Sequence, residues 1–192
     1  MSSTKRFQDK LIIITGAGGN FGREGCQYFA KHGAKIAAFD KNESALKETV
    51  SLVEKESAKN TIKSYICDVT SEASVESTVD EVIQQFGACP DLLWNNAGYQ
   101  GQIKPTLDYS AADFALVMNI NVTGMFIVMQ AVAKRMAAAN KNGASGENEN
   151  NGSKYAIVNT ASVAALRGTP AMIAYSSSKA AVITMTVCAA KV

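Results

Sequence analysis

Histidine is almost absent from the 192-residue chain: one stands beside four cysteines, Cys26, Cys67, Cys89 and Cys188, which are far apart and show no Cys-x-x-Cys spacing. Such a set suggests neither a zinc site nor a disulfide framework, so free thiols in a reducing, cytoplasmic compartment are expected. The chain also lacks an excess of charge of either sign. Its 19 basic and 17 acidic residues alternate and leave a net charge of only +2. No basic stripe therefore points to nucleic acid or to an anionic membrane. A secretory core is missing as well, because Lys5, Arg6 and Lys10 precede only the short apolar run Leu11 to Ile14, which ends in a glycine turn. Phe114 to Ala133 contains no charged residue and has about the length of a bilayer-spanning helix. Asn119, Asn121, Thr123 and Gly124 in its middle would lack partners in lipid, so a helix buried between protein surfaces, not a membrane span, is expected.

What the chain has is apolar material for one core: 47% of residues are hydrophobic and 19% charged, as in a single α/β domain spanning residues 1–192. Leu11 to Thr15 reads as a buried strand ended by Gly16, Arg23 to His32 as a helix stopped by Gly33, and Lys35 to Phe39 as a second strand ending at Asp40. The alternation continues through a helix at Glu43 to Glu56, a strand at Ile62 to Cys67 and a helix around Ser74 to Phe86 stopped by Gly87. A strand at Leu92 to Trp94, a long helix within Ala111 to Ala139, a strand at Ala156 to Asn159 and a helical segment after Pro170 complete it. Strands alternating with helices of this length predict a doubly wound parallel sheet. Residues 140–154, rich in Asn, Gly and Ser, read as a surface insertion.

In such sheets ligands bind beyond the carboxyl ends of the strands, so the loops there are the candidates for chemistry. After the first strand comes Gly16-Ala17-Gly18-Gly19-Asn20-Phe21-Gly22, whose glycines let the backbone approach a diphosphate that the next helix meets with its N-terminal amides. Asp40 stands where an acid would accept the adenosine ribose hydroxyls; its charge repels a 2′-phosphate, which favours NAD over NADP. Tyr175 and Lys179 lie four residues apart, on one face of a helix. A nearby ammonium favours the phenolate over a phenol of ordinary pKa about 10, so the pair could form a base.

These motifs, in this order, resemble the short-chain dehydrogenase/reductase family. The spacing from Thr15 to Gly22 fits the family's Thr-Gly-x-x-x-Gly-x-Gly, with Asn20 in place of the usual middle glycine. Asp68-Val69 resembles its adenine-contacting pair, and Asn95-Asn96-Ala97-Gly98 its motif after the fourth strand. Asn121-Val122-Thr123-Gly124 resembles its helix motif, and Ser162 stands thirteen residues before Tyr175, as the family's catalytic serine does. Within the family, Asn95 to Gly101 and the glycine loop are similar to bacterial NAD-dependent xylitol dehydrogenases.

The resemblance implies a Rossmann fold and an oxidoreductase that moves hydride between NAD and a secondary alcohol, polyol-like, or its ketone. Tyr175 would be the general acid or base, Ser162 would orient the substrate oxygen, and Lys179 would lower the tyrosine pKa and hold the nicotinamide ribose. Asn121 would anchor a water that relays the proton. Asp68 and Val69 would bracket the adenine, Asn95 would stabilise the sheet, and Asn96, Ala97 and Gly98 would line the path of the cofactor. No metal is required. Family members continue past the position of Val192 with two further strands, a Pro-Gly loop and substrate-covering helices, so the domain is expected to be cut off after its catalytic helix. A catalytically silent nucleotide-binding or subunit-interaction module is the alternative. The apolar residues of Phe114 to Ala133 and after Ala180 predict self-association as a dimer or tetramer.

Overall fold

The computed structural model describes residues 6–58, 61–143 and 154–191. Five strands, β1 (Leu11–Thr15), β2 (Lys35–Asp40), β3 (Ile62–Ile66), β4 (Leu92–Asn95) and β5 (Ala156–Asn159), form one parallel sheet in the order β3-β2-β1-β4-β5. β1 is central and buried along its whole length, which is why it is continuously apolar rather than alternating. Successive side chains still point to opposite faces. Leu11 and Ile13 join Ala37, Phe39 and Leu93 on one face, against helices α3 (Glu72–Phe86) and α5 (Met125–Gly143). Ile12 and Ile14 join Ile36 and Ala38 on the other, against α1 (Asn20–Lys31) and α2 (Glu43–Glu56). Each fully buried isoleucine contributes about 1.5–3 kcal/mol, so this one strand anchors both cores.

The expected doubly wound sheet is therefore present, and it fixes the site. From β1 the chain winds outward through β2 and β3, then crosses back to β4 and β5 on the other side. The reversal opens a crevice at the carboxyl ends of β1 and β4.

Several boundaries differ from the sequence reading for identifiable reasons. α1 starts at Asn20 rather than near Arg23, because Gly19 is its N-cap and draws Asn20, Phe21 and Gly22 into the first turn. The long helix read from Ala111 onward is interrupted: α4 (Ala111–Met118) passes into a π-helical segment, Asn119–Gly124, before α5 resumes. The segment after Pro170 becomes helical only at Ile173. A short helix, α6 (Ala164–Arg167), comes first, and Gly168 (φ 65°) and Ala171 (φ 64°) turn the chain before α7 (Ile173–Ala189) begins. α5 takes up residues 140–143 of the expected insertion, and 144–153 lie outside the described residues.

Residues Ala111–Lys141 are long and apolar enough to cross a membrane by length and composition alone. In this fold Val128, Val132 and Met136 of that stretch pack into the core, and its buried Asn121 belongs to the site described next.

Candidate active site

The crevice is built by backbone crossing backbone. Gly16 has φ 67°, and a Cβ there would stand 2.9 Å from Cα of Ala97, so the loops after β1 and β4 touch with no room for a side chain. Thr15 fastens them: its buried hydroxyl accepts the N–H groups of Asn96 (2.8 Å) and Ala97 (2.9 Å) and donates to Asn95 Oδ1 (3.3 Å). Asn95, fully buried, donates to the carbonyl of Met125 (2.8 Å) and to Asn159 Oδ1 (3.1 Å). It thus joins β4 to β5 and α5, in keeping with the sheet-stabilising role that the resemblance implies.

On the β2 side, Asp40 accepts the N–H of Gly18 at 2.9 Å through Oδ2 and that of Asn42 at 2.9 Å through Oδ1. One donor per oxygen leaves lone pairs for further hydroxyls. A Cβ on Gly18 would lie 3.0 Å from Asp40 Oδ2 and 2.7 Å from the Ala45 methyl. The glycine loop is braced from behind, where Arg23 donates to the Gly18 carbonyl (3.1 Å) and Thr49 to the Ala17 carbonyl (2.9 Å). Helices α2, α3 and α4 carry side-chain caps from Asn42, Ser71 and Ser110, but α1 has glycine at its N-cap and no side chain over its first turn. Its amides and the positive end of its dipole thus face the crevice. Asn20 and Phe21 lie exposed at this mouth.

Two adjoining clefts meet at Gly16, Asp40, Ala97, Gly98 and Tyr99. One, of about 340 Å³, reaches past Lys41 to Asp68 and Val69. The Asp68 pKa is lowered, chiefly by the Thr70 hydroxyl (2.7 Å) and N–H (2.9 Å) donating to Oδ1. Val69 packs beneath Gly124 of the π segment, where a Cβ would stand 3.0 Å from Val69 Cγ2. The second cleft, of about 620 Å³, runs from Gly19, Asn20 and Phe21 to Ser162, Tyr175 and Lys179. Gly98 supplies clearance in the second cleft, since a Cβ there would lie 3.3 Å from Asn121 Oδ1 and 3.5 Å from Lys179 Nζ.

Ser162, Tyr175 and Lys179 line the second cleft, and Asn121 borders it at Gly98. Lys179 is buried, with Nζ 5.8 Å from the centre of the Tyr175 ring and donating to the Thr160 carbonyl at 2.6 Å. Burial lowers its pKa from 10.5 to about 8, so it stays mostly protonated at neutral pH. Because the folded-state value is the lower one, the folded chain gives up this proton first. Folding stability linked to Lys179 should rise between pH 8 and 10.5. In a carbon-13 reductively methylated sample, one lysine resonance should titrate near pH 8 and vanish in Lys179→Met. A value near 10.5 for every lysine would refute this.

Asn121 commits both amide hydrogens and one lone pair within the protein: Oδ1 accepts the Tyr99 N–H (2.7 Å), while Nδ2 donates to the Tyr99 carbonyl (2.8 Å) and to Ser178 Oγ (2.9 Å). The π segment presents this side chain, and such insertions in helices often occur at functional sites. Ser162 Oγ accepts the Ala164 N–H (3.2 Å), which fixes its turn before α6.

Sequence reasoning missed two supports. Ser178 donates to the Tyr175 carbonyl at 2.7 Å and couples Asn121 to α7; its place between Tyr175 and Lys179 was the available signal. Thr160 holds Lys179 through its carbonyl and accepts Trp94 Nε1–H at 3.0 Å through its hydroxyl. A backbone acceptor leaves no mark in a sequence.

Residues 10–191 match the profile of the short chain dehydrogenase family. A solved NAD+-bound xylitol dehydrogenase matches with a TM-score of 0.85 and 43% identity, over 96% of this chain and 65% of that one. Levodione reductase of Leifsonia aquatica is 32% identical over 185 residues, 96% of this chain and 64% of that protein. D-threitol dehydrogenase of Mycolicibacterium smegmatis is 32% identical over 178 residues, 93% of this chain and 62% of that protein. The chain spans less than two thirds of the length of each of these relatives.

Proposed function

The chain belongs to the short-chain dehydrogenase family, and from that premise we propose that it is the cofactor-binding and catalytic part of an NAD-dependent oxidoreductase that interconverts a polyol-like secondary alcohol and its ketone. The observation that carries the proposal is the cleft lined by Ser162, Tyr175 and Lys179, with Asn121 at its border and the glycine turn at Gly16 and Gly19 also along it.

Bound NAD supplies the hydride acceptor. The chain's own residues do the rest. Glycine-loop amides and the α1 N-terminus hold the diphosphate, Asp40 takes the adenosine ribose hydroxyls, and Asp68 and Val69 flank the base. Ser162 orients the substrate oxygen by hydrogen bonding, and Tyr175 takes the hydroxyl proton as the carbon gives up its hydride, with the reverse order in reduction. Lys179 keeps its Nζ 5.8 Å from the centre of the Tyr175 ring. Its Nζ, on the Gly98 side of the cleft, is placed to hold the nicotinamide ribose. Asn121 keeps the floor of this site rigid, and the space at Gly98 lies beside its Oδ1 for a relaying water.

NAD+-bound xylitol dehydrogenase and D-threitol dehydrogenase among the relatives support the polyol reading. A panel of linear polyols and simple secondary alcohols, assayed for NADH formation, tests it. Turnover is expected with polyols, and NAD should be preferred to NADP by a factor on the order of ten or more, the size of a ~1.4 kcal/mol repulsion at Asp40. Cofactor binding with no turnover on any alcohol would overturn the oxidoreductase reading in favour of a nucleotide-binding module, and a preference for NADP would overturn the role of Asp40.

A further inference from the structure

The segment between β4 and α4 carries contacts that the chemistry above does not use. Tyr99 and Gln100 line the same cleft as Ser162 and Tyr175, and the backbone that presents them is held from three directions. Asn121 grips both the N–H and the carbonyl of Tyr99. Asp113, buried in the otherwise apolar α4, accepts the Gln102 N–H at 2.9 Å and the Tyr109 hydroxyl at 2.5 Å on the same oxygen, Oδ2. The Lys104 N–H donates at 2.9 Å to the carbonyl of Ala171.

Three features make this arrangement specific. A carboxylate largely shielded from water needs strong donors in its place, and here an N–H and a phenol converge on one oxygen. The Tyr109 hydrogen bond is the leading reason that Asp113 is held below the usual carboxylate range. Gly101, between the anchors, has φ 74°, and a Cβ there would stand 2.5 Å from both the Tyr109 hydroxyl and Val117 Cγ2, so the loop lies directly on the clamp. Ala171, which receives Lys104, holds φ 64°, a strained value for a residue with a side chain, and lies just ahead of α7, the helix of Tyr175.

We propose that Asp113 and Tyr109 are a positioning pair that fixes the Tyr99-Gln100 wall of the substrate cleft, and that the Lys104 to Ala171 contact ties this wall to the catalytic helix. The pair acts through the loop and touches neither substrate nor cofactor, so it governs which alcohols fit rather than the proton transfer. The inference rests on the alcohol oxidation proposed above.

Asp113→Asn and Tyr109→Phe test it, the second keeping the ring and removing only the donor. Hydrogen exchange in the peptide covering residues 98–110 should speed up about tenfold or more, with β1 amides unchanged. The KM for the best alcohol should rise about tenfold, while kcat and the dissociation constant for NAD stay within about twofold. Unchanged exchange at 98–110 in Tyr109→Phe, a loss confined to kcat, or a parallel loss of NAD affinity would overturn the clamp. If the unmodified protein oxidises no alcohol, the functional reading fails by itself, and faster exchange would still uphold the clamp as the element fixing this wall while unchanged exchange would reject it.

Discussion

Tyr175→Phe should lower alcohol-dependent NADH formation by about 10³-fold, within the range that a positioned general acid or base contributes, and should leave NAD binding within about twofold. Tyr175 is half-buried on α7, its ring, with Lys179 Nζ 5.8 Å from the centre, is the same size as that of phenylalanine, and the hydrogen bond named for its residue is made by its carbonyl, which accepts the Ser178 hydroxyl. Only the phenol oxygen, at the cleft with Ser162 and Lys179, is removed. Lys179 remains anchored to the Thr160 carbonyl in the variant, so its side of the cleft is not disturbed. Calorimetry with NAD and a steady-state rate on the best polyol together check this. Equal rates in the two proteins would dismiss Tyr175 as the proton-transfer group, and a joint loss of rate and cofactor affinity would mark it as structural instead.

The residues of this site were legible where a motif had to be spelled in side chains. Tyr175 and Lys179 share a helical face by their spacing and stand out only with Ser162, Asn121 and the glycine loop in order before them, and Asp40 stands out by closing a strand. Both inferences rest on local geometry, and the structure keeps that geometry. The sheet was legible for a related reason: β1 is buried on both faces, so its sequence is an unbroken apolar run. The π segment was not legible. Asn119 to Gly124 breaks the apolar stretch with polar residues, but nothing in residue type signals that the hydrogen-bond ladder shifts there. What forces the shift is tertiary: Asn121 must meet the Tyr99 backbone and Ser178 at once, and Gly124 must sit on Val69. The turn before α7 escaped reading for the same kind of reason, because the positive φ of Ala171 is imposed on a residue that does not prefer it.

Gly22→Ala should remove NAD binding and lower stability by about 1–3 kcal/mol, the cost of forced overpacking, seen as a melting midpoint lower by roughly 5 °C for a chain of this size. Its Cβ would stand 2.2 Å from the Gly16 carbonyl oxygen, 2.7 Å from the Gly16 carbonyl carbon and 2.8 Å from Cα of Ala17. All three are backbone atoms, so no rotamer relieves the clash, and the loop must lift off the first turn of α1. Gly19 gives the contrast within the same motif. With φ −82° and the Gly16 oxygen 3.4 Å from its would-be Cβ, Gly19→Ala makes only an ordinary contact and should keep both stability and cofactor affinity near those of the parent chain. Thermal melts and NAD calorimetry on the two variants decide the matter, and equal behaviour would refute the steric argument. The same logic accounts for Asn20, where the family usually has glycine. That residue is exposed in the first turn of α1, so its side chain points into open space. Glycine is required in this loop where backbone meets backbone, at Gly16 and Gly22, and the position between them is free to carry an amide at the mouth of the cleft.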